Sequence, residues 1–226
     1  LALNLSKLNS ARLTSFLSLI FGISFLEFLF WNFKASRACL EVLYFIFAPV
    51  MGLILNLETA TTNCSVSIAR DGELLALREH DSANYSHAEE LHNFIKEALY
   101  ATSIAFSDLE AIAVSKGPGS YTGLRIGVSA AKGLCFSLDL PLISVPTLES
   151  MAHQKKMGNF DFVIPVLDAR RMEVYSAVFD ANFNMVRETK AEIITDISFL
   201  EFADNGKVLM LGSGAHKCKE TLIHPN

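Results

Sequence analysis

Three short strand-like runs follow one another between residues 53 and 79, with no helical stretch between them. The first, 53–58 (LILNLE), is apolar enough for a buried strand. The second, 64–70 (CSVSIAR), sets Cys64, Val66 and Ile68 against small polar residues, the period of two that a half-buried strand requires. Asp71-Gly72 supplies a two-residue hairpin turn, and 73–79 returns as a third strand. A chain that opens this way is committed to an antiparallel β-meander.

Helix and strand then alternate. Ser86-His87-Ala88-Glu89 has the form of a capping box, in which serine and glutamate satisfy open N–H groups at a helix start. Leu91, Phe94, Ile95, Ala98 and Leu99 recur at helical spacing, to about Thr102. Residues 111–116 read as a strand, 124–138 as a second helix, 142–145 as a strand and 147–156 as a third helix. The order restarts at Asp161, with strands at 162–167, at 173–179 and near Met185, and one more at 207–211 before a Gly-Ser-Gly turn. Periodicity therefore supports an α/β fold with a mixed sheet and a βββαβαβα order used twice, the second copy incomplete.

The formal charge of -5 over 226 residues argues against a free-standing nucleic-acid binder, so any RNA contact has to come from a partner or a local patch. Cys39, Cys64, Cys135 and Cys218 form no C-x-x-C pair, and neither a zinc site nor a disulfide framework is expected. Residues 1–50 stand apart, holding eight of the 17 Phe, the only Trp and six charged residues, against 37 charges in the rest. Residues 13–33 are largely apolar and carry a single charge, Glu27, long enough to span a bilayer, and a signal peptide fits less well. Three readings compete: translated upstream non-coding sequence, a membrane anchor, and a soluble extension. The first is favoured because the chain opens on Leu1 and a clean domain start follows at Met51, so the mature protein is expected to begin near Met51.

The segment 117–125, GPGSYTGLR, lies between a strand and a helix, where open N–H groups and the helix dipole favour an anion. No Lys-Ser or Lys-Thr follows its last glycine, so it is not a Walker A loop. Two readings stay open: phosphate contact, or glycines that only permit a tight turn with Thr122 as N-cap. As a string, GPGSYTGLRIG closely resembles the hallmark of the TsaB family, formerly YeaZ. The resemblance extends to LNLETATTNCSVSIARDG (55–72), similar to that family's opening hairpin, and to Asp168-Ala169-Arg170-Arg171 with Glu173-Val174-Tyr175, similar to the segment opening its second domain.

That resemblance implies an actin-like fold built from a duplicated ribonuclease H-like unit, with a first subdomain over 51–156 and a second, truncated one over 157–226. It implies a non-catalytic subunit of the machinery that makes tRNA threonylcarbamoyladenosine (t6A), cytoplasmic unless 13–33 anchors it. The implied partners are TsaD and the ATPase TsaE, with tRNA bound only through the complex and a homodimer when alone. No cofactor, metal or catalytic residue is expected. The resemblance places a nucleotide or phosphate contact at Thr59, Thr61, Gly117, Gly119, Ser120 and Thr122. It places the docking surface for TsaD on the two helices of the first subdomain, at Leu91, Phe94, Ile95, Ala98, Gly127, Ala130, Ala131 and Gly133. Small residues let a partner helix approach closely, although the same face could pack on the domain's own sheet.

Two departures bear on chemistry. Glu58 stands where the family pattern has Asp, and the extra methylene displaces a carboxylate that in actin-like kinases helps hold metal and nucleotide. TsaD carries N-H-L-E-G-H, with two metal-binding imidazoles one helical turn apart; the matching segment here is Pro146-Thr147-Leu148-Glu149-Ser150-Met151, so Thr147 and Met151 replace both. His87 and His92 point to different sides of their helix, and His80, His153, His216 and His224 are read as surface or capping residues. Asp168 with Arg170 and Arg171 is the one charged cluster of interest, its plain alternative being a hairpin turn. The competing class, a stand-alone actin-like kinase or M22-type peptidase, requires a metal site and an intact acid in the first hairpin.

Overall fold

A computed structural model describes residues 52–82, 86–154 and 158–223. The first lobe is β1 (Leu53–Glu58), β2 (Asn63–Arg70), β3 (Glu73–Asp81), α1 (His87–Thr102), β4 (Ala111–Ser115), α2 (Tyr121–Leu138) and β5 (Leu142–Val145). Its sheet has the order β3-β2-β1-β4-β5, antiparallel through the meander and parallel from β1 to β4 to β5. After α3 (Thr147–His153) the second lobe follows: β6 (Phe162–Asp168), β7 (Glu173–Asp180), β8 (Met185–Ile193), α4 (Leu200–Ala203), β9 (Val208–Leu211) and α5 (Ala215–Thr221). Its sheet order β8-β7-β6-β9 repeats the first four positions of the other. This is the twofold use of a ribonuclease H-like unit that defines an actin-like fold.

Alternation in β1 and β2 puts Leu53, Leu55, Leu57, Cys64, Val66 and Ile68 on one face, with Ile112 and Val114 of β4 beside them. Leu91, Ile95, Ala98 and Leu99 of α1 and Ala131 of α2 close that face. Each fully buried Leu or Ile there contributes about 1.5–3 kcal/mol over its exposed state. The third helix does something the sequence order hides. It leaves β5 of the first sheet, yet Leu148 and Ala152 pack with Val163, Leu167, Ala177 and Phe179 of the second. The opposite face of that second sheet, Ile164, Val166, Val174 and Val178, is covered by Ile194, Phe199 and Cys218.

Helix starts differ from expectation in two places. Ser86 precedes α1 but makes no side-chain cap, because its backbone (φ -72, ψ 14) already turns with the helix; its carbonyl takes the N–H groups of Glu89 and Glu90 instead. The second helix begins at Tyr121, three residues early, capped by Ser120, whose Oγ accepts the Gly123 N–H at 3.2 Å. Thr122 is therefore not the N-cap. Where the first lobe has the 16-residue α1, the second has only the four residues of α4. Arg187 fills part of that role, lying over Phe199 and Phe202 with its guanidinium bonded to Glu192 and Ser176. Residues 1–50 lie outside the described residues, and no described helix is long and apolar enough to cross a membrane.

Candidate functional site

The glycine-rich loop leaves β4 after Ser115, includes a cis Gly117–Pro118 bond, and enters α2. Its neighbour is the turn that follows β1, and the fit between the two is tight. Ser120 N–H donates to the Ala60 carbonyl at 2.7 Å, and Thr59 Oγ1 donates to the Gly123 carbonyl at 2.8 Å inside the protein. A β-carbon at Gly119 would overlap the Ala60 backbone, one at Gly123 the Thr59 carbonyl, and one at Gly127 the Thr59 hydroxyl. Three of the loop and helix glycines are thus explained by backbone approach to Thr59–Ala60. His87 closes the same junction from α1: it is buried, and its Nε2 lies 2.8 Å from the Thr61 carbonyl.

That geometry does not fit the expected anion cradle. Thr59 is fully buried with its hydroxyl spent. Thr61 Oγ1 accepts from Asn63 N–H, and Gly117's carbonyl accepts the Thr147 N–H at 3.0 Å. Gly117, Gly119 and Ser120 are half-buried against protein, and Thr122 is exposed on the first turn of α2. Glu58 has folded back on its own strand end, accepting the Ala60 N–H at 2.6 Å through Oε1 and the Ser115 hydroxyl through Oε2. Each Glu58 oxygen therefore already carries a hydrogen bond from the protein itself.

The positions that carry imidazoles in TsaD are also occupied structurally. Thr147 is buried at the start of α3, and the Met151 methyl reaches the space that a side chain at Gly212 would take. Among the described residues, no group of three His, Cys, Asp or Glu is placed to hold a metal ion. His92 is exposed, and His153 stacks on Phe183 at 4.5 Å. His80 pairs with Glu90 at 2.6 Å, and that contact holds the Glu90 carboxyl below its ordinary range. His87, considered in the sequence only as one of a pair with His92 on different sides of their helix, is a core residue; nothing in a lone histidine at a helix start signals this.

The expected docking residues divide. Leu91, Ile95, Ala98, Gly127 and Ala131 are core, turned onto the first sheet and the Thr59 turn, and no partner reaches them without opening the fold. Phe94 and Ala130 are half-buried, and Gly133 is exposed with nothing within 4 Å of its missing side chain. Large exposed side chains lie nearby in sequence that the small-residue pattern did not flag, Tyr121 and Phe136 on α2 and Tyr100 on α1.

The cluster at Asp168 is a pinned turn. Lys217 of α5 donates to Asp168 at 2.7 Å and to the carbonyls of Arg171 and Glu173. That ammonium holds the Asp168 carboxyl below its usual range. Arg170 and Arg171 both have positive φ, 70° and 47°, which costs roughly 1–2 kcal/mol for each residue bearing a β-carbon. Lys217 is far from this turn in sequence, and no motif points to it.

Fold and loop together define a protein of the actin-like class whose glycine-rich segment binds its own first hairpin. A family model described as TsaD: tRNA N6-adenosine threonylcarbamoyltransferase matches residues 81–217. The chain belongs to that family, and within it to the TsaB (YeaZ) group. The tRNA threonylcarbamoyladenosine biosynthesis protein TsaB of Escherichia coli (strain K12) is 33% identical over 148 residues, 64% of this chain and 63% of that protein. Its namesake in Bacillus subtilis (strain 168) is 36% identical over 132 residues, 56% of this chain and 54% of the relative. The solved structure of YeaZ from Pseudomonas aeruginosa superposes with a TM-score of 0.69 at 25% identity, over 77% of this chain and 82% of that one. The chain thus spans less than two thirds of the length of these curated relatives.

Proposed function

We propose that this chain is a non-catalytic scaffold subunit in t6A biosynthesis, pairing with TsaD and, through the assembly, with TsaE. The observation that carries this is the state of the two places where chemistry would reside. Glu58 is bonded to its own chain, and Thr147 and Met151 are packed where TsaD has its imidazoles. A kinase or peptidase reading needs a free acid in the first hairpin and a donor set for a metal, and neither position supplies one. The named roles of the relatives in t6A biosynthesis supply the process.

The pairing surface we assign is the outward side of α1 and α2, centred on half-buried Phe94 and Ala130 and exposed Gly133. Tyr100 and Phe136, 88% and 92% exposed, give this side large apolar groups that water covers poorly, the kind of patch that partners bury. The test is reconstitution of t6A on tRNA from TsaD, TsaE and this chain, with threonylcarbamoyl-adenylate supplied as donor and each protein left out in turn. Product should form only when this chain and TsaD are together, and the two should co-elute. Turnover of ATP or cleavage of peptide by the chain alone would sink the scaffold reading. Phe136→Ser should weaken co-elution without lowering the melting temperature.

A further inference from the structure

The turn between β6 and β7 presents two consecutive arginines from a backbone that is fixed beneath them. An ammonium has three N–H donors; those of Lys217 serve Asp168 Oδ1 at 2.7 Å and the carbonyls of Arg171 and Glu173 at 2.7 and 3.0 Å. Asp168 Oδ1 also accepts the Arg170 N–H at 2.6 Å. Of the two carboxylates that flank the turn, Asp168 and Glu173, the first is therefore neutralised from below. Arg170 and Arg171 are exposed, and neither guanidinium has an ion-pair partner among the described residues. Met172, 43% exposed, stands beside them. Both arginines occupy left-handed backbone, where asparagine or glycine is more at home. Their presence is thus not explained by the needs of the turn.

We propose that this turn contacts the phosphate backbone of an RNA, and is the local basic patch that a chain of charge -5 needs for such a contact. A guanidinium is always charged, weakly hydrated and forked to match phosphate oxygens two at a time. Two forks on a preset backbone lose less freedom on binding than two on a mobile loop. A nucleic-acid strand offers successive phosphates to adjacent arginines, and Met172 offers an apolar neighbour for a ribose or base. The contact positions the RNA and carries no sequence information. This inference rests on the t6A reading only for the choice of RNA, and it is measured on this chain alone.

The experiment is fluorescence anisotropy of labelled, unfractionated tRNA with the full chain between 50 and 150 mM salt (roughly the range over which phosphate contacts are read). Arg170→Asn with Arg171→Asn keeps a residue tolerant of left-handed backbone and removes both charges. The double variant should bind about ten-fold more weakly at low salt. Its slope of log affinity against log salt should be shallower by about 1.4 to 1.8, the release expected for two phosphates. Its melting temperature should be equal or higher. Parent chain that does not bind tRNA at low salt, or a double variant with unchanged affinity and slope, overturns the proposal. So does a double variant that loses a labelled oligo-glutamate while keeping tRNA, which would make the turn a reader of acidic peptides. Failure to co-elute with TsaD would remove the scaffold reading and leave a positive tRNA result standing.

Discussion

Replacing Gly127 with alanine tests whether α2 is placed by the Thr59 turn. In an open helix the change stabilises by up to about 1 kcal/mol, because glycine loses the most backbone freedom on folding. Here the new methyl would overlap Thr59 Oγ1 and stand 3.3 Å from Thr59 Cγ2, in a buried contact with no room to yield. Overpacking of that kind costs about 1–3 kcal/mol, so the net expectation is a loss of about 1–2 kcal/mol, or about 2–8 °C in melting temperature. Thr59→Ala alone also destabilises, since it strips the buried Gly123 carbonyl of its 2.8 Å partner, at about 1–3 kcal/mol. The combination is the informative variant. With Thr59→Ala in place only the 59 β-carbon remains, 3.4 Å from the new methyl, and Gly127→Ala should then be neutral or stabilising. Urea titrations of the four proteins give the coupling directly. An equal loss from Gly127→Ala in both backgrounds would refute the idea that the Thr59 side chain excludes a β-carbon there.

Gly133→Ala, with open space around it, should raise stability by about 0.5–1 kcal/mol in the same titration; a loss would mean that the outer face of α2 is covered. Arg187→Met removes bonds to Glu192 and Ser176 and leaves that carboxylate half-buried over an apolar face, so chemical denaturation should register a loss near 3 kcal/mol, and one under 1 kcal/mol would count against it. Asp168 titrates below its ordinary value because Lys217 bonds it. Its contribution is therefore full above the unfolded pKa of about 3.9 and fades as pH falls through the lower native value; Lys217→Met should flatten that acid limb of the stability curve, and an unchanged limb would refute the pairing. Burial pushes the Cys64 and Cys218 thiols up to about 11, so a thiol reagent at pH 8 should label neither until the domain unfolds.

Much of the fold was legible because it rests on short-range pattern. β1 and β5 fall at the expected residues, and the meander, the alternation of strand and helix and the restart at Asp161 all follow from periodicity and turn chemistry. The misses at the site share one cause, contacts between residues far apart in the chain. Small residues in α2 were legible as a request for close approach, but not what approaches; Thr59, 68 positions earlier, is the neighbour of Gly127. His87 and Lys217 are likewise fixed by partners at Thr61 and Asp168 that no local window connects. The short α5 was not anticipated, since its polar sequence AHKCKET buries only Cys218. The glycine-rich segment illustrates the limit on site reading: glycine permits approach by a ligand or by backbone, and composition does not distinguish them.

The seating of α3 has a consequence for how the chain comes apart. Its seven residues are delivered by the first sheet and roof the second, so a protease that cuts near residues 155–157 separates two fragments, one of which has lost its own lid. The downstream fragment would expose Val163, Leu167, Ala177 and Phe179 and should aggregate or recapture the upstream piece, much as split reporters reassemble. Unfolding should therefore proceed as one cooperative transition through both lobes, although their sheets share no strand.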